Sequence, residues 1–169
     1  MISANILLTQ PLKAGRQFAA TTGSAHHMLL DDAVGSTGPK PVELVAVALA
    51  GCTAFDVITV LRQKYQQKVT GYEVRVEADQ AERPPQVFTS VRIHHLVTGY
   101  EIDPAAIEEA IRLSEEKYCS VGAMVKQTAR LHTSYEIVEE KTPWLAPVPA
   151  QQPQIPLRSS AEYTAEAAE

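Results

Sequence analysis

Two cysteines carry the reactive potential of this chain: Cys52, inside the apolar run "VELVAVALAGCTAFDVITVL" at residues 42–61, and Cys119, in "EKYCSVGAM" at residues 116–124. The thiolate is the nucleophile and the metal ligand of cysteine chemistry, so each position is weighed by what surrounds its sulfur. Ala50, Gly51, Thr53 and Ala54 are small and leave room beside Cys52 for another group to approach. The same neighbours suit a packed core thiol, since free cysteine is among the most buried residue types. Cys119 falls where one helical pattern stops and another starts, so amide N–H groups of the following turn could point at its sulfur, a position that favours the thiolate. The alternative there is a helix cap with no redox role. Two cysteines are too few for a disulfide scaffold and, lacking neighbouring ligand pairs, make a poor zinc site.

Charged groups near Cys52 sort by helical geometry at about 100° per residue. Asp56 is one turn on and shares the face of Cys52, whereas Glu43 lies nine residues back and half a rotation away. An ionised Asp56 beside the thiol opposes a second negative charge, so it reads as a proton acceptor or hydrogen-bond partner, or simply as a helix-to-loop hydrogen bond. His26 and His27, like His94 and His95, are adjacent on strand-like segments and point to opposite faces, so neither pair is a ready chelate. They read as surface or hydrogen-bonded residues, and no metal or cofactor is expected.

The elements that must position these groups follow from pattern. Residues 5–30 hold short alternating stretches, "RQFAAT" and "AHHMLL", around Gly15 and Gly23, which suit a small antiparallel meander. "DDAVGSTGPKP" at residues 31–41 is a turn region whose Pro41 suits a helix start. The helix from Val42 is apolar all round and needs cover on nearly every side, which in so small a domain favours a dimer. Tyr72, Val74, Val76 and Ala78 alternate with charged residues, and Val87, Val91, Ile93 and Val97 repeat the pattern, predicting a hairpin. Asp103-Pro104 signals a helix start, with Ile107, Ala110, Ile111, Ser114 and Tyr118 on one buried face. A break at Cys119 and Ser120 leads to a shorter helix over residues 121–128, and residues 131–138 return to strand alternation. The order is α+β, not alternating βαβ.

With 169 residues and 45% hydrophobic content, one domain over residues 1–140 is expected. The segment "KTPWLAPVPAQQPQIP" holds five of the chain's 11 prolines, so residues 141–169 read as an extended tail whose start Trp144 pins to the domain. A net charge of −5 argues against nucleic acid or an anionic membrane surface as partner. Glu43 and Asp56 leave 12 uncharged residues between them, short of the roughly 20 that span a bilayer. The first eight residues lack the pattern of a secretory signal, so a cytoplasmic location is expected.

"GPKPVELVAVALAGC" at residues 38–52 followed by "EKYCSVGAM" resembles the OsmC/Ohr family, and most closely its YhfA-like branch. The similarity runs over about residues 18–138 and includes "FTSVRIHHLVTG" and "RLSEEKYCSV". The resemblance implies antiparallel sheets around a long buried central helix in an intertwined homodimer, with active sites at the subunit interface. It also implies reduction of organic or small hydroperoxides: Cys52 peroxidatic, Cys119 resolving, and a dithiol reductant reopening the disulfide. In the family an N-terminal arginine and a glutamate activate the first cysteine. Here Arg16 is the nearest arginine, and the family's Pro-Glu-Glu or Pro-Glu-Gln reads Pro41-Val42-Glu43, so Glu43 fills only the second position. A second class therefore stays open: a non-enzymatic dimer of this fold acting as a redox-responsive or small-molecule-binding protein.

Overall fold

The computed structural model describes residues 1–9, 16–32 and 37–141. The stretch from residue 142 onward, Trp144 and most of the expected tail included, lies outside the described residues. The chain opens with an antiparallel sheet in the order β1-β2-β3: β1 (Ala4–Leu8), β2 (Phe18–Thr22) and β3 (His27–Leu30). Ala4 faces Thr22 and Phe18 faces Leu30. Asp31 ends this sheet. Its buried carboxylate accepts hydrogen bonds from the Asp32 and Thr37 amides and from the Thr37 hydroxyl, and that last bond does most to lower its pKa. Gly38 passes so close to β3 that a Cβ there would sit 2.7 Å from the Leu29 carbonyl oxygen. The sheet packs chiefly within itself: β1 is exposed throughout, with Ile6 at 56% and Leu7 at 70%.

Helix α1 (Pro41–Thr59) begins as the sequence indicates, with Pro41 in its first turn and the Glu43 carboxylate accepting from the Lys40 amide at 2.8 Å. It runs on into a π-helical turn, Val60–Lys64. By length and composition alone, Pro41–Lys64 could cross a membrane. In the fold its Leu49, Thr53 and Val57 are buried instead in the body of the domain, where α1 packs on β4 and the later helices. The opposite side is bare: Val45, Val47 and Phe55 are 40%, 64% and 77% exposed. One chain therefore covers one face of a helix that is apolar all round.

The second sheet has the order β4-β5-β6, from β4 (Lys68–Gln80), β5 (Phe88–Tyr100) and β6 (Arg130–Glu139). β4 and β5 form the expected antiparallel hairpin, but β6 pairs parallel to β5. Between them lie α2 (Pro104–Leu113), a π-helical turn (Ser114–Tyr118) and α3 (Ser120–Val125), and this helical crossover returns the chain to the end from which β5 began. Asp103 caps α2, accepting from the Ala105 amide at 2.9 Å. Ala106, Ile107, Ala110, Ile111 and Ser114 are buried as the spacing requires. Tyr118 is 48% exposed instead, because the π-helical turn shifts the phase of the buried stripe. Val87 departs too: a register shift between Asp79 and Gln80 changes the alternation, leaving Val87 exposed and Phe88 part-buried at the strand's start.

His95 corrects a further expectation. It lies in phase with Val91, Ile93 and Val97 on the inward face of β5 and is completely buried, so it is a core residue where a surface one was an open reading. Its Nδ1 is 2.6 Å from the Tyr72 hydroxyl, the two rings stack at 5.9 Å, and its Nε2 has no hydrogen-bond partner among the described residues. Burial, with a smaller contribution from His94, lowers its pKa from 6.5 to about 4. As pH falls, the unfolded chain takes up this proton before the folded one. The associated stability is therefore complete above pH 6.5 and is lost between about 6.5 and 4, on the order of 3 kcal/mol. Urea unfolding of the wild type against His95→Gln is expected to show the wild type losing stability faster across that window; parallel curves would mean that His95 titrates normally.

Candidate functional site

Packing of α1 onto α3 brings together thiols that are 67 residues apart in sequence. Cys52 is half-buried on α1 and Cys119 is buried at the start of α3. The sulfurs of Cys52 and Cys119 and a carboxylate oxygen of Asp56 all lie within 4.8 Å of one another. Asp56 thus stands one turn from Cys52 on the same face, as helical geometry requires. The fold adds Cys119 from across the helix interface.

Backbone geometry sets the position of Cys119. Its amide closes the π-helical turn by donating to the Ser114 carbonyl at 2.9 Å, and its extended backbone, φ −72° and ψ 97°, makes it the N-cap of α3. The Gly122 amide donates to Cys119 Sγ at 3.1 Å. A Cβ on residue 122 would itself stand 3.1 Å from that sulfur, so glycine is what allows the close approach. The amide of the following turn does point at the sulfur, but it does not produce a thiolate. Burial first, and the hydrogen bond to Cys52 second, push the Cys119 thiol up to about 12, outweighing the Gly122 amide. Of the two readings weighed for Cys119, the helix cap is present and the thiolate is opposed, because the desolvation of a buried anion exceeds what one N–H returns.

Asp56 is held by Ser114, whose hydroxyl donates to Asp56 Oδ2 at 3.0 Å and lies 3.2 Å from the buried Thr53 hydroxyl. Beyond Asp56 stands Tyr72, whose pKa is raised by burial and then by the Asp56 charge. Tyr72 in turn meets His95. Ser114 and Thr53 were not among the residues singled out from sequence as site groups. The available signal was a serine on the buried stripe of α2, where a hydroxyl requires a partner.

Arg16 and Glu43 are not brought to the thiols within one chain. Arg16 pairs with Asp32 at 3.3 Å beside the N-terminal sheet, its side chain 80% exposed. Glu43 closes the N-terminal cap of α1. The groups whose charge bears on Cys119 are Cys52 and Asp56. An open cleft of about 550 Å³ leads to Asp56, lined among others by Phe55, Val60, Lys64, Lys117 and Tyr118.

A two-layer α+β fold with paired thiols between a long central helix and a short capping helix defines a class: the profile of OsmC-like proteins matches residues 34–134, and the chain belongs to that family. Within it, Protein YhfA of Escherichia coli (strain K12) is 39% identical over 124 residues, spanning 73% of this chain and 92% of that protein. Among solved structures, a hypothetical protein from Aquifex aeolicus VF5 is 26% identical with a TM-score of 0.73, over 83% of this chain and 98% of that one. The organic hydroperoxide resistance protein OsmC from Legionella pneumophila is 17% identical with a TM-score of 0.59, over 80% and 96%, and shares the fold.

Removing the Ser114 hydroxyl leaves Asp56 Oδ2 without this donor beside a buried threonine. Ser114→Ala is expected to cost about 1–3 kcal/mol in chemical unfolding, and an unchanged unfolding midpoint would show that water replaces the hydroxyl.

Proposed function

We propose that the protein is a cysteine-dependent peroxidase that reduces organic or small hydroperoxides. The observation that carries this reading is the meeting of Cys52, Cys119 and Asp56 within 4.8 Å. The half-buried Cys52 is the sulfur a substrate can reach, and Cys119 is the buried one. In the first step the Cys52 thiolate attacks an oxygen of the peroxide, the O–O bond breaks, and an alcohol leaves after protonation while Cys52 becomes a sulfenic acid. In this reading Asp56, one turn on from Cys52, accepts the thiol proton. Cys119 Sγ then attacks the sulfenic sulfur, water leaves, and the disulfide forms. A dithiol supplied from outside restores both thiols, and no cofactor takes part.

Family membership supports this reading, as does the name of the Legionella neighbour, an organic hydroperoxide resistance protein. The partner in this reading is a second copy of the chain, in an intertwined cytoplasmic homodimer that binds neither nucleic acid nor membrane. It would cover Val45, Val47 and Phe55 of α1. Arg16 and Glu43 then support Cys52 across the subunit interface.

The raised pKa of Cys119, which no cation among the described residues offsets, keeps a second reading in play, a non-enzymatic redox-responsive or small-molecule-binding dimer. Variants separate the two. Cys52→Ser is expected to abolish peroxide consumption, whereas Cys119→Ser should take one oxidation at Cys52 and stall, as followed by peroxide assay and intact mass. Survival of both thiols in excess peroxide would exclude the peroxidase. Sedimentation at micromolar concentration is expected to find dimer alone, and a folded monomer would refute the intertwined assembly.

A further inference from the structure

From the donor set at the thiol site we infer that, in the reduced protein, Cys52, Asp56 and Cys119 bind a thiophilic divalent ion of the zinc type, and that this ion and the disulfide are alternative occupants of the same two sulfurs. The metal site stands on geometry alone, while its exchange with the disulfide rests on the oxidation of the two thiols proposed above.

Two sulfurs and a carboxylate oxygen within 4.8 Å make a donor set that suits zinc chemically. A tetrahedral ion with Zn–S bonds of about 2.3 Å and a Zn–O bond of about 2.0 Å holds its sulfurs roughly 3.8 Å apart and each sulfur roughly 3.5 Å from the oxygen, so the groups need close by no more than about 1.3 Å. Cys52 and Asp56 are four residues apart on one helix, the spacing at which helical side chains chelate a metal together. The third donor comes from a separate element whose position is fixed by backbone hydrogen bonds.

The groups behind the donors fit as well. Ser114 donates to Asp56 Oδ2 at 3.0 Å and the Gly122 amide donates to Cys119 Sγ at 3.1 Å, each orienting its ligand from behind. Asp56 also lines the open cleft, the side from which a water would complete a four-coordinate set. Two thiolates and one carboxylate exceed a divalent ion by one negative charge, and Lys64 and Lys117 line the cleft on the Asp56 side.

On binding, both S–H bonds break, two S–metal bonds form and two protons leave to solvent, with no electron transferred. The bound ion engages the sulfur lone pairs that a peroxide oxidant or the other thiol would otherwise meet. The disulfide, conversely, has no thiolate to offer. Oxidation by hydroperoxide therefore releases the ion, and a bound ion protects the thiols.

Co²⁺ added alone to the reduced, metal-free, full-length protein tests this, because sulfur-to-cobalt charge transfer reports thiolate ligation directly. The expected result is one Co²⁺ per chain with charge-transfer and tetrahedral visible bands that Zn²⁺ abolishes. No binding is expected for the disulfide form. Asp56→Asn should retain the sulfur bands but weaken binding at least about tenfold, and Ser114→Ala should weaken it by about tenfold. Co²⁺ that binds without sulfur bands, or equally well after oxidation or in Asp56→Asn, overturns the assignment. The wild-type spectrum and its loss on oxidation decide the question even if a variant does not fold. Peroxide-driven disulfide formation, scored separately by mass in metal-free protein, keeps a failure here distinct from a failure of the peroxidase reading.

Discussion

The seating of Leu49, Thr53 and Val57 against the body of the domain is the contact on which the rest depends. These residues recur every four positions and bury one edge of α1. Cys52 and Asp56 each precede a member of that stripe by one residue, which rotates them by about 100° onto its flank. A side chain there is neither sealed in the core nor free in solvent. The packing that stabilises the helix therefore also sets how far the first sulfur is withdrawn from water, and turns it toward α3.

Polar groups are placed in that interface with partners. The Ser114 hydroxyl serves Asp56, and the Tyr72 hydroxyl meets His95 Nδ1. Each contact avoids the cost of an orphaned buried group, about 1–3 kcal/mol in protein interiors. His95 Nε2 has no partner among the described residues, and the ring responds as a buried imidazole does, by holding to its neutral form. Cys119 is treated alike by its surroundings: one amide donates to its sulfur, yet dehydration dominates.

Much of this was legible in the residues. The Cys52 and Asp56 face, the Asp103 cap, the hairpin and the break at Cys119 all follow from period and local chemistry, and the resemblance to OsmC-like proteins rests on motifs around both cysteines. What escaped depends on geometry that has no one-letter signature. The register shift near Asp79 put Val87 outside, and the π-helical turn put Tyr118 outside. The parallel pairing of β6 depends on where a crossover ends. The ionisation of Cys119 depends on burial contributed by distant segments. For the same reason, a donor set that looks poor when ligands are sought side by side in sequence is assembled by the fold from α1 and α3.

The π-helical turn at Ser114–Tyr118 makes the length of this connection part of the site. The amide of Cys119 reaches back five residues to Ser114, one more than an α-helix allows. That wider turn lets Ser114 face α1 while Cys119 also returns to it. Wound as an unbroken α-helix, the same residues would bond the Cys119 amide to Glu115 and carry its sulfur about 100° further round the axis. The chain could still fold, with every functional side chain present, and yet carry its second sulfur on the wrong side of the helix. The site is thus encoded by a count of residues as much as by their identities, and an alteration that changes no side chain at the thiols can uncouple them.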